Sequence, residues 1–152
     1  MIQRKQTLYI LAAAILTIVC LCLPLGWFNN NSELGSQYVL YNLWMVFPDG
    51  THNWSVWELF VIQVVSCAVA IVSIFSYHNR IVQSRYCLFN ILLLLGWYVV
   101  FVMWVLSSKD TFGTFKPSVT TVFPLISIIL KFMARKAILA DEALVRAADR
   151  IR

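Results

Sequence analysis

Four apolar windows constrain this chain more than any other feature: residues 7–27, 54–77, 86–106 and 114–137. Each meets or approaches the roughly 20 residues that an α-helix needs to cross a hydrocarbon core about 30 Å thick. The first three hold at most one charged residue apiece, so they offer no polar face to set against a soluble core. Composition agrees: 61% of the 152 residues are hydrophobic and 12% charged, where soluble domains carry about 25% charged residues. The expected fold class is an all-α membrane protein. It is a four-transmembrane-helix bundle, one domain over 1–152, with a short β-like outer loop and an extended cytoplasmic C-terminal helix over 138–152.

The fourth window is the weakest. Its apolar core from Val119 to Leu130 is short, but Phe112 and Phe115 extend it on one side and Lys131 is expected to snorkel to the interface on the other. The first window follows a basic start, as a secretory signal does. It exceeds the usual apolar region of roughly 7–15 residues, and no small-residue cleavage site follows, so a retained helix is expected.

Basic residues in short connections stay on the cytoplasmic side. Arg4 and Lys5 precede the first window, Arg80 and Arg85 separate the second from the third, and Lys131, Arg135, Lys136, Arg146, Arg150 and Arg152 close the chain. Only Lys109 and Lys116 lie elsewhere, which places both termini in the cytoplasm of a bacterial inner membrane and residues 28–53 and 107–116 outside. The net charge of +5 then belongs to the lipid interface, where anionic headgroups attract basic residues. No basic cluster interleaved with aromatics forms a nucleic-acid groove, so the bilayer is the expected partner and nucleic acid is not.

Between Ser36 and Trp57 the chain is rich in strand formers, Tyr38, Leu40, Leu43, Trp44, Val46 and Phe47, followed by the turn signal Pro48-Asp49-Gly50. A short hairpin lying on the membrane surface is expected, with Trp27, Phe28, Trp54 and Trp57 forming an aromatic belt. Tyr41, Trp44 and Phe47 are its candidate partner contacts.

Ionisable or strongly polar groups inside a bilayer are functional candidates. Here they are Glu58, Gln63 and Asn90; Glu58 lies near the interface, within reach of Lys109 or Lys116, while Gln63, Ser66, Ser73 and Asn90 are expected to hydrogen-bond between helices. Ala68, Ala70 and Gly96 would permit close helix approach, and Pro24 and Pro124 are expected to kink their helices. Cys20, Cys22, Cys67 and Cys87 read as small buried hydrophobes. His52 and His78 fall on opposite sides, and no metal, nucleotide or nucleophile motif is present, so no cofactor, metal or catalytic residue is assigned.

From Lys131 to Arg152 the chain is built of good helix formers, with Glu142 and Arg146 at i,i+4 spacing. One helix is expected from about Ser118 to Ile151. Leu144, Ala148 and Ile151 mark a narrow apolar stripe suited to packing on a second helix, from this chain, a second copy or another membrane subunit.

The start MIQRKQTLY, Met1 to Tyr9, and the end DEALVRAADRIR, Asp141 to Arg152, resemble those of a family of small four-span inner-membrane proteins of Bacteroidota, domain of unknown function 4293. The likeness covers essentially the whole chain. It implies topology and location but no activity; motifs at both cytoplasmic ends fit a docking surface there. The function expected is a non-enzymatic accessory or scaffold subunit of a larger membrane assembly. The alternative is a small homo-oligomeric transporter or channel using Glu58.

Overall fold

The first helix, α1 (Gln3–Cys22), stops two residues before Pro24, because a proline excludes the helical conformation from the residue it follows. Pro24 thus ends a helix rather than bending one. The computed structural model describes residues 3–29, 37–76 and 79–149. Three more helices follow: α2 (Trp57–Phe75), α3 (Arg80–Phe112) and α4 (Phe123–Asp149), the last entered through a 3-10 turn at Val119–Val122. Pro124 occupies the first turn of α4, where no helical hydrogen bond is lost, so it bends nothing either.

Each helix packs on two others, α1 on α2 and α4, and α3 on α2 and α4. α2 and α3 are long and apolar enough to cross a membrane, and α1 adds a shorter apolar stretch, Gln6–Cys22. Large apolar side chains such as Leu92, Val99, Met103 and Phe132 point outward, whereas Thr17, Gln63, Ser66, Asn90, Ser127 and Lys131 are buried. This inverts the usual arrangement of a water-soluble bundle.

The expectation of an all-α chain with one short hairpin needs correction. Five strands, β1 (Gly26–Asn29), β2 (Gln37–Leu40), β3 (Met45–Val46), β4 (His52–Asn53) and β5 (Thr114–Pro117), form one antiparallel sheet in the order β4-β3-β2-β1-β5. β1 and β5 come from segments that hydropathy alone assigns to the ends of the first and fourth windows. Lone two-stranded ribbons are marginal, and the added strands supply the missing pairing.

Two glycines make the sheet possible. An added Cβ on Gly26 would lie 2.5 Å from the Lys116 carbonyl oxygen, so only glycine lets β1 approach β5 this closely. Gly113, at φ 87°, ends α3 with its N–H on the Lys109 carbonyl and turns the chain into β5. The expected turn at residues 48–50 is present, closed by the Gly50 N–H on the Phe47 carbonyl at 3.0 Å.

Beneath the sheet lies an apolar cluster containing Leu25, Phe28, Leu40, Met45, Leu59 and Trp97. Phe28 is fully buried, with ring centroids 6.0 Å from Trp104 and Phe112 and 4.8 Å from Phe115, so it is a core residue and not part of a surface belt. Trp54 and Trp57 are exposed, as a belt requires. Of the cysteines, Cys20, Cys67 and Cys87 are buried but Cys22 is exposed. Gly96 faces open space and serves no close helix contact within the bundle.

A buried polar ring as the candidate functional site

Ser66 is the tenth of the nineteen residues of α2, at the middle of the helix. Its hydroxyl donates to Asn90 Oδ1 at 2.6 Å, and the Asn90 amide donates back to the Ser66 carbonyl at 2.8 Å. Lys131 Nζ from α4 donates to the same Asn90 oxygen at 2.9 Å. One turn earlier on α4, Ser127 Oγ donates to the Ala13 carbonyl of α1 at 3.1 Å. The circuit closes where Gln63 Nε2 donates to the Thr17 carbonyl at 3.2 Å and Cys67 Sγ to Thr17 Oγ1 at 3.4 Å. Each of the four helices is thus joined to its two neighbours by side-chain hydrogen bonds at one level.

The residue spacing creates this level. Gln63 and Ser66 are three apart, Ala13 and Thr17 four, and Ser127 and Lys131 four, so each pair shares one helix face. Such bonds between membrane helices are worth about 0.6 kcal/mol on average, but Lys131 differs from the rest. It is 1% exposed. An ammonium has three N–H donors, and the neutral Asn90 amide takes one. Among the described residues no carboxylate pairs with Lys131, and the Gln63 Oε1 atom is buried without a donor.

Toward the sheet, Asn42 fastens the ring's apolar roof. It is fully buried at the tip of the β2–β3 turn; its amide donates to the Cys20 carbonyl at 2.7 Å, and its oxygen accepts from Trp97 Nε1 at 3.2 Å. The last carbonyls of a helix lack helical donors, so Asn42 caps α1 from outside. Toward the tail, Gln83 donates to the Ser73 carbonyl at 3.1 Å and Gln6 to the Ala137 carbonyl at 3.2 Å. Arg80 approaches Asp141 at 2.8 Å, an ion pair by distance rather than by directed hydrogen bonding.

Of the intramembrane candidates, Gln63 and Asn90 belong to this ring. Glu58 does not: it is exposed in the first turn of α2 and makes no ion pair among the described residues, Lys109 and Lys116 included. Tyr41, Trp44 and Phe47 are half-buried; Trp44 packs on Tyr41, His52 and Trp54, while Phe47 packs inward on Tyr38 and Phe112. Leu144 is 64% exposed. The Ala148 side chain, Ile151 and His78 lie outside the described residues.

Lys131 was expected to snorkel; instead it points inward, since it shares a face with the buried Ser127, Ala134 and Ile138. The periodicity of those three residues could have revealed its direction, because a snorkelling lysine belongs on the opposite face. Asn42 carries no comparable signal, as nothing local to a loop asparagine names a partner 55 residues away.

The model of the family described as domain of unknown function DUF4293 matches residues 2–151, and the chain belongs to that family. None of the curated proteins compared with the chain matches it.

Proposed function

We propose that this DUF4293 chain is a four-span inner-membrane protein, with its sheet outside and both termini in the cytoplasm, that serves as a non-catalytic accessory or scaffold subunit. The burial pattern supports the membrane reading: large apolar side chains cover the outside of the helices while hydrogen-bonded polar ones are buried between them. In lipid, α1 and α4 complete the four crossings alongside α2 and α3, and the positive ends remain cytoplasmic.

The observation that carries the accessory role is the continuous extension of α4. The helix runs without a break from Phe123 to Asp149, is clamped near its exit by Arg80 and Asp141, and then presents Leu144 and Val145 to solvent. A pre-ordered helix with an exposed apolar edge binds a partner helix without an ordering cost. Other membrane subunits or a second copy are the partners proposed. Purification in mild detergent tests this. Specific companions or a self-oligomer should be recovered, and lost on deleting residues 141–152; a monodisperse monomer unaffected by that deletion overturns it.

A second reading, a small homo-oligomeric transporter or channel, is favoured by one observation, the burial of Lys131 beside Asn90. Its intramembrane charge is then Lys131 rather than Glu58. Flux in liposomes lost in Lys131→Gln and retained in Glu58→Gln supports it; absence of flux from the intact chain removes it.

A further inference from the structure

We propose that Lys131 and Arg135 hold an oxyanion of the phosphate class inside the tail end of the bundle. Arg135 follows Lys131 by one helical turn, so both side chains leave α4 on the same side. Cys87 of α3 packs in one cluster with Ala134 and Ile138, which sets α3 against the turn of α4 that carries both cations. Arg135 Nε is buried and has no acceptor, and Lys131 uses one of its three donors on a neutral amide. A buried ammonium and a half-buried guanidinium therefore stand one helical turn apart on one side of α4 with donors to spare.

Among the described residues no carboxylate is paired with either cation. Among the described residues Asp141 pairs with Arg80 and Glu142 with Arg146. Asp49, Glu58 and Asp110 belong to the sheet end, two of them on the helix termini and one in the hairpin turn. A buried cation without an opposite charge or full hydrogen bonding is strongly disfavoured. An oxyanion meets both needs, since its several acceptor oxygens take the ammonium donors and the guanidinium fork together.

Its entry is from the tail. Above the ring the interior is closed by Cys20, Leu59 and Trp97 under the sheet, whereas Arg135 is half-buried at the other end. The same chemistry has two sources, a free phosphate or the headgroup of an anionic lipid. The first is independent of the membrane role proposed above, while the second rests on it.

The test is thermal unfolding of the full chain in a zwitterionic detergent, followed by tryptophan fluorescence. Inorganic phosphate is compared with sodium gluconate at equal ionic strength, and phosphatidylglycerol micelles with phosphatidylcholine ones. A saturable rise in the midpoint with phosphate, or with phosphatidylglycerol, is expected. Its apparent affinity should fall at least about tenfold in Arg135→Gln, as loss of a charge-assisted contact requires. A rise with phosphate assigns the ligand to a soluble oxyanion, and a rise with the lipid alone assigns it to a headgroup. No rise with either, or an equal rise in Arg135→Gln, overturns the proposal. Among the described residues Arg135 makes no ion pair and its Nε has no acceptor, so this variant carries the test even where Lys131→Gln does not fold.

Discussion

The ammonium of Lys131 and the hydroxyl of Ser66 share one acceptor, the side-chain oxygen of Asn90, at 2.9 and 2.6 Å. Asn90 is therefore the hub through which α2, α3 and α4 are joined. Removing the hub should cost far more than removing one spoke. Asn90→Leu strands a buried ammonium and is expected to destabilise by about 3 kcal/mol, while Ser66→Ala costs about 1 kcal/mol or less. In a double-mutant cycle, Asn90→Leu with Lys131→Met should recover more than about 1 kcal/mol of the single-mutant loss. Equilibrium unfolding in mixed micelles measures all four states.

Asn42 plugs the sheet into the bundle. Asn42→Ala leaves the Cys20 carbonyl and the Trp97 indole N–H buried without partners, for an expected loss of about 2–4 kcal/mol. Leu substituted at this position should do no better, because the orphaned groups remain. Near-ultraviolet circular dichroism of the Trp97 environment should change in both variants.

Two glycines should respond in opposite directions. Gly26→Ala forces β1 from the Lys116 carbonyl and should cost about 1–3 kcal/mol, as overpacked sites do. Gly96→Ala meets nothing within 4 Å and should be neutral or stabilise α3 by up to about 1 kcal/mol.

Asp141→Asn tests the clamp on the tail. The pair is only partly buried, so global stability should fall by no more than about 1 kcal/mol. Amide exchange in residues 138–149 should nonetheless accelerate by several-fold, while exchange in α2 stays unchanged. Equal acceleration in both would show that the ion pair holds the whole bundle instead.

Much of the helical framework was legible because lipid-length apolar windows depend on sequence alone. The Pro48-Asp49-Gly50 turn and the inward face of α2, Gln63 and Ser66, were legible for similarly local reasons. The rest depended on which distant segments meet. Residues 26–29 and 114–117 look like helix ends until they pair with each other, since Trp27 and Phe115 are as apolar as any residue in a span. Lys131 was misread because linear position gives depth along a helix axis, and only its neighbours at three- and four-residue spacing give direction. Asn90 was recognised as a link between helices, but the identity of its second partner, 41 residues on, was not written nearby.

Strand β1, which lies between β2 and β5, has an uneven history during synthesis. β2 emerges soon after β1 and pairs with it locally, whereas β5 arrives only after α2 and α3 have been made. Until then the nascent polypeptide exposes one raw flank at Gly26–Asn29, and any chaperone or insertase that shields it would be needed for the time taken to translate more than half the protein. Ribosome stalling just beyond Phe112 should therefore yield a species prone to aggregate through that flank, and release past Pro117 should cure it.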